Sequence, residues 1–354
     1  MSTVVQEAGF LQYARHLGAV PCPRADSWIM VGQDGGQSID LGAQTMFVYS
    51  DTLIAPVNGS NNSGDHPAAI SSSRDRAGVF RANCAGITAP GADLRDSLQK
   101  IQYFLGEDGY PKEILAATPE EQAVGIRFWP EHGVLLDGKV YLYYLGIQTI
   151  DPGSIWGFRN LGVGLAILNP VSGECQRILR NGEWRLWRLE VDDFHFGTQV
   201  IRKGDHLIVF GSLRRGFDTE GMIGRVHVSQ IEDPSAYKFR RTATARWVKS
   251  MELAGGIGPT GPEYSVSYNP FLGKYLMVFT ETYKKNLMLR TADVMEGPYS
   301  TPMMIGRLPH RAGSELLYFG FEHPRFAAED GRRVFITYCQ PTFSLNEIVE
   351  LRFQ

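Results

Sequence analysis

Five stretches of the 354-residue chain repeat one pattern: a small or polar start, a short strand, a tight reversal, and a strand rich in β-branched and aromatic residues. They are GGQSIDLGAQTMFVYSDT, PEHGVLLDGKVYLYYLG, FGTQVIRKGDHLIVFGS, PEYSVSYNPFLGKYLMVFTET and FEHPRFAAEDGRRVFITYCQ. The reversals LGAQ, LDGK, KGDH, NPFLGK and EDGR mostly use the Asp, Asn and Gly chemistry that turns a strand at low cost. Each stretch therefore reads as a β-hairpin. Successive hairpins start roughly 60 to 95 residues apart, which leaves room for two more strands and matches the content of a four-stranded propeller blade. The expected fold is all-β, a five-bladed β-propeller forming a single domain over residues 1–354.

Candidate outer strands fill the gaps. GVGLAILNP and CQRILRNG fall between the second and third hairpins, MIGRVHVSQI and ARWVKSME between the third and fourth, and NLMLRTAD between the fourth and fifth, while NEIVELRF closes the chain. Helical periodicity is persuasive only in DLRDSLQKIQYFL, Asp93 to Leu105, which disfavours a parallel α/β fold. The first blade is the longest, with a loop region over about residues 53–126. Its segment NGSNNSGDHPAAISSSRDRAG has the composition of an exposed loop and is expected at the rim of a site.

Composition removes several function classes. A formal net charge of -3 argues against a phosphate-backbone binder, so no nucleic-acid partner is expected. The basic clusters LRRGF around Arg214 and KFRRTATAR from Lys238 are short enough to be solvated strand or loop positions. Cys22, Cys84, Cys175 and Cys339 are scattered without a CxxC pair, which reads as reduced thiols rather than a zinc or redox site. The first residues lack the basic and apolar regions of an export signal, and no run of about 18 apolar residues occurs. A cytoplasmic location with no membrane partner is therefore expected.

In a propeller the innermost strand of each blade lines the central channel and starts on one face, and the next strand returns to that face. Asp34, placed before the first inner strand, and Asp51, at the end of the returning strand, are thereby brought to one channel mouth. Equivalent starts carry Glu131 and His132, Asp193 and His195, Glu263 and Tyr264, and Glu322 and His323, with Arg214, Glu281 and Tyr283 at returning ends. Acids gathered in one mouth perturb one another's ionisation, the condition that separates an acid from a base. Aromatic residues in the same regions, Trp129, Trp156 and Phe158 among them, supply flat apolar faces for a sugar ring or another apolar ligand.

GQDGGQSIDLG followed by FVYSDTLIAP resembles the first-blade signature of five-bladed β-propeller glycosidase-like proteins that include bacterial endo-D-arabinanases. PEYSVSYNPFLGKYLMVF resembles their fourth-blade segment, and the chain departs from the signature at Ser50, where glycine is usual. The resemblance implies a hydrolase acting on furanosyl linkages of a carbohydrate substrate. Asp34 and Asp51 then serve as nucleophile or base and its partner, in an order left open, and Glu263 as general acid. Glu131, His132, Trp129, His195, Arg214, Tyr264 and Glu322 are the candidate substrate-binding residues. No cofactor is required; a structural calcium ion at His323 is the one metal the resemblance brings into view. Two other readings stand beside it: a cytoplasmic cyclase, isomerase or lyase acting on a small molecule, and a non-catalytic sugar- or protein-binding propeller.

Overall fold

The computed structural model describes residues 9–57, 78–89, 93–154, 157–188, 194–215, 218–241, 246–251, 254–341 and 345–354. The chain enters as β1 (Leu11–Ala19). Blade one contains β2 (Trp28–Asp40), β3 (Thr45–Pro56), β4 (Val79–Arg81), β5 (Cys84–Thr88) and, after the short helix α1 (Leu94–Gln99), β6 (Gln102–Tyr103). A second short helix, α2 (Pro119–Ala123), leads into blade two, which contains β7 (Ile126–Leu136), β8 (Lys139–Thr149), β9 (Phe158–Leu168) and β10 (Cys175–Arg177). Blade three comprises β11 (Phe194–Lys203), β12 (His206–Arg215), β13 (Asp218–His227), β14 (Lys238–Arg241) and β15 (Arg246–Val248). Blade four is β16 (Tyr264–Asn269), β17 (Lys274–Glu281), β18 (Asn286–Ala292) and β19 (Met303–Arg307). Blade five is β20 (Tyr318–Glu322), β21 (Arg333–Cys339), β22 (Glu347–Phe353) and, as its outermost strand, β1. The five sheets are antiparallel and the inner strands β2, β7, β11, β16 and β20 touch in a ring, as expected of a five-bladed propeller.

The second strand of each blade explains why its sequence is a continuous apolar run. Side chains alternate between two faces along a strand, and here both faces are covered. Val140, Leu142 and Tyr144 of β8 pack toward blade one, whereas Tyr143, Leu145 and Ile147 pack toward blade three. Likewise Leu207 and Val209 of β12 face blade two while Ile208 and Phe210 face blade four. The result is one apolar cluster between every pair of neighbouring blades, five in all among the described residues.

Three sequence expectations change. The stretch Asp93–Leu105 is not one helix: α1, capped by Asp93 accepting from the Asp96 amide, ends at Gln99, and the chain then adds β6 to blade one. The region 53–126 is not unbroken loop: its described residues hold the end of β3, three further short strands and both helices, while 58–77, most of its Gly/Ser/Asn-rich segment, lies outside the described residues. The N-terminal segment, read without a strand, is β1, which pairs with β22 and so joins the two ends of the chain in one sheet.

No helix among the described residues is long and apolar enough to cross a membrane.

Candidate functional site

Asp34 does not precede its strand; it lies within β2, at a distortion that the Gly-Gly pair creates. Gln33 pairs with Thr52 and Gly35 with Tyr49, so the single residue Asp34 faces both Ser50 and Asp51 of β3. Such a bulge re-aims a side chain and sharpens the local twist. Gly35 and Gly36 follow with φ of 80° and 111°, a region that favours glycine. A Cβ on Gly36 would sit 2.9 Å from Asn346 Nδ2, the group that donates to the Gly35 carbonyl at 2.6 Å. The signature thus bends blade one against blade five and sets Asp34 beside Asp51. Their places are mid-hairpin, and the outer halves of both strands continue past them.

The two carboxyls have different surroundings. Asp34 is partly exposed and, among the described residues, accepts one hydrogen bond, from Tyr318 Oη to Oδ1 at 2.7 Å. Burial and then the charge of Asp51 push it up to about 7; the Tyr318 bond opposes this, the Glu263 charge adds to it, and Arg127 offsets a part. Asp51 is buried, with both oxygens engaged: Trp129 Nε1 donates to Oδ1 at 2.9 Å and Arg127 Nη2 to Oδ2 at 3.2 Å. Burial raises it too, while Arg127 and Trp129 hold it back. Arg127 and Trp129 stand two residues apart on β7, hence on one face, and Trp129 is braced edge-on by Phe158 with ring centroids 4.9 Å apart.

A second cluster approaches from blades two, three and four. Pro130 pairs with Tyr144 and Gly133 with Leu142, so Glu131 and His132 together face Tyr143 in another bulge. Glu131 is 3% exposed; its Oε1 meets His195 Nδ1 at 3.2 Å, and its Oε2 is a buried oxygen with no hydrogen-bond partner among the described residues. Glu263, immediately before β16, lies 3.9 Å from the same His195 nitrogen. The charge of Glu263 acts on Asp34 and adds to the upward push on it.

Four expected substrate contacts or ligands lie elsewhere. Tyr264 is fully buried between blades three and four and donates to the Gly211 carbonyl at 2.7 Å, because it follows Glu263 by one residue and points to the opposite side. His132 is buried; Val200 N donates to Nδ1 at 3.3 Å, so Nε2 carries the hydrogen and donates to the Ser38 carbonyl at 3.1 Å. Burial brings it down to about 4, so it is neutral and structural. Glu322 is 2% exposed, accepts from Ser267 Oγ, and is pushed up to about 7 by burial. His323 meets the hydroxyls of Ser38 and Thr337, each at 2.9 Å, and burial brings it down to about 3. Calcium takes six to eight oxygen ligands with carboxylates prominent, and no group of three His, Cys, Asp or Glu that could hold a metal ion occurs among the described residues. His323 does not fit the calcium role.

Arg214 lies near the end of β12, paired with Thr219. Asp193 and Trp156 lie outside the described residues. Two groups of the mouth were not singled out from sequence: Arg127 and Tyr318. The i, i+2 spacing of Arg127 and Trp129 beside PEHG was the available signal for the first; an aromatic residue opening an apolar strand gives none for the second.

Residues 22–342 match the family described as Domain of unknown function (DUF4185). No curated protein matches the sequence. Among solved structures the chain is similar to a protein of Bacteroides ovatus described as a candidate hydrolase, with TM-score 0.64 and 13% identity, covering 93% of this chain and 87% of that one. It is also similar to Zg3597, a family 117 glycoside hydrolase of the marine bacterium Zobellia galactanivorans, with TM-score 0.50 and 12% identity, covering 97% and 91%. At these identities the likeness establishes the fold.

Proposed function

The chain belongs to the DUF4185 family, and from the chemistry of its channel mouth we propose that it is a glycoside hydrolase acting on furanosyl, arabinan-like linkages. The observation that carries the reading is the pairing of Asp34 and Asp51 across one bulge in unequal surroundings. Glycoside hydrolysis needs one carboxyl that attacks or activates water and another that delivers a proton. Asp34 is the reacting carboxylate, since its Oδ2 has no hydrogen bond among the described residues. Asp51, held by Trp129 and Arg127, supplies a fixed charge beside it. Glu263, across the mouth and within reach of His195, delivers the proton to the leaving oxygen. Trp129 and Phe158 offer the aromatic wall for the sugar ring. The glycoside hydrolase named among the similar structures supports a carbohydrate substrate, and the furanosyl choice follows from the first-blade resemblance. The small-molecule cyclase or lyase reading calls for acids in an apolar pocket, whereas Asp51 has an arginine and an indole N–H against it.

Product release from arabinans, aryl furanosides and unrelated polysaccharides tests the proposal, with Asp34→Asn, Asp51→Asn and Glu263→Gln compared after thermal melts confirm folding. Sugar release from furanosides that collapses in all three folded variants is the expected result. A wild type inert on every sugar would remove the glycosidase reading.

A further inference from the structure

Tyr318 bonds Asp34 across the seam where the ring closes, since Asp34 belongs to blade one and Tyr318 to blade five. An unusual piece of backbone holds the phenol there. Tyr318 pairs with Cys339 and Phe321 with Thr337, so Phe319 and Gly320 face Tyr338 alone in a bulge of β20. Phe319 takes φ of 60°, a left-handed conformation that bulky residues seldom adopt and that persists only where the surroundings impose it. Gly320 is required by close approach: a Cβ there would lie 2.9 Å from Thr280 Cγ2 and 3.0 Å from the backbone of Phe279. Phe319 also stacks on Phe321, centroids 5.6 Å apart, and with Cys339 forms a small apolar cluster separate from the five interblade cores. A regular strand would shift the pairing by one residue and turn the Tyr318 ring to the other side of the sheet.

We propose that Tyr318 is a positioning residue of the site, its phenol fixing Asp34 through Oδ1 so that Oδ2 is presented to the mouth as the reacting oxygen. The proposal rests on the reading of Asp34 as the reacting carboxylate. The titratable groups that act on Asp34 are Asp51 of β3, Arg127 of β7, Glu263 before β16 and Tyr318 of β20, and the Asp34 charge in turn raises the thiol of Cys339 of β21. Burial and the Asp34 charge hold the phenol far above its ordinary range, so Tyr318 remains a donor at every working pH. The bond favours ionised Asp34, and its loss therefore raises the pH at which Asp34 titrates.

The test is an NMR titration of the Asp34 carboxyl in full-length protein labelled with 13C-carboxyl aspartate, run beside a pH–rate profile on an aryl furanoside. Tyr318→Phe is expected to move the Asp34 midpoint up by about one unit, with the matching limb of the rate profile following and KM little changed. Site-specific 3,5-difluorotyrosine at 318 keeps the ring, donates a stronger bond and is expected to move the midpoint down, so a misfolded phenylalanine variant does not end the experiment. Tyr338→Phe is the control for a merely structural loss, because its buried phenol on the neighbouring strand bonds the Pro309 carbonyl at 2.6 Å. It is expected to lower the melting temperature without moving Asp34. An Asp34 midpoint unmoved by both changes at 318, or moved equally by Tyr338→Phe, overturns the assignment. A wild type without sugar activity would count against the glycosidase reading alone, since the titration judges Tyr318 without turnover.

Discussion

Asp34 and Glu350 are two carboxyls that each accept a hydrogen bond from a tyrosine, and they do opposite things. Glu350, on β22, is fully buried and accepts from Tyr13 at 2.9 Å, Arg333 at 2.7 Å and Arg15 at 2.6 Å. Burial alone would raise it, but the bonds from Arg333, Tyr13 and Arg15 together bring it below its ordinary value. Asp34 has Tyr318 and no arginine in contact among the described residues, while Asp51 and Glu263 press on it with like charge. A phenol donor is common to both, so the difference lies in the counter-charge. Where arginines neutralise the carboxylate it fastens β1 to β22; where acids gather without equal compensation the carboxyl titrates higher, which is the condition the proposed reaction calls for.

The comparison can be broken most decisively by neutralising each carboxylate in turn. Asp34→Asn is expected to lower kcat/KM on a furanoside by ~10³-fold or more while the protein stays folded, the scale for losing an essential group. Glu350→Gln is expected to leave activity within a few-fold and to cost about 2 kcal/mol of stability in urea denaturation, less than a fully desolvated pair because Arg15 is largely solvent-exposed. Trp129→Phe removes one donor from Asp51 and should lower kcat by about 10-fold without altering the melting temperature much.

The smallest effect sharpens the comparison through pH. Glu350 has a depressed folded value, so its stabilisation is present above the ordinary glutamate value and is lost as pH falls through the folded one. Asp34 is raised to about 7, so its contribution is fully present below the ordinary aspartate value and is lost as pH rises through about 7. Asp34→Asn should therefore be more stable than the wild type at pH 8, by roughly 1 kcal/mol after allowance for its partial exposure, with the gap closing toward pH 4. Thermal melts across that range measure it.

The five hairpins were legible because turn chemistry and doubly buried second strands leave strong local patterns. The strand β1 was not, since its partner β22 lies at the far end of the chain and its own residues are mostly half-exposed. Asp34 and Asp51 were read at the two outer ends of the first hairpin; the structure keeps them opposite each other but in mid-strand, where the glycines bend β2. Tyr264 and His132 were misplaced for a geometric reason: along a strand one residue separates the mouth from the core, and bulges shift that count without a residue type that announces them. Glu322 and His323 were read at the start of the fifth inner strand, whereas Glu322 ends β20 and His323 follows it, and serine and threonine hydroxyls take up their polar atoms there. Tyr318 was hidden because an aromatic residue in a strand reads as core until its hydroxyl is seen against Asp34.

The central claim is that the acids of the mouth, and not the arginine-bound Glu350 between β1 and β22, perform glycoside hydrolysis. Initial rates on aryl furanosides for the wild type, Asp34→Asn and Glu350→Gln, each with its melting curve at the assay pH, test it most directly. The account predicts turnover by the wild type, near-complete loss in a folded Asp34→Asn, and retained turnover in a less stable Glu350→Gln. Full activity in Asp34→Asn, or equal loss in both variants while each remains folded, would contradict it.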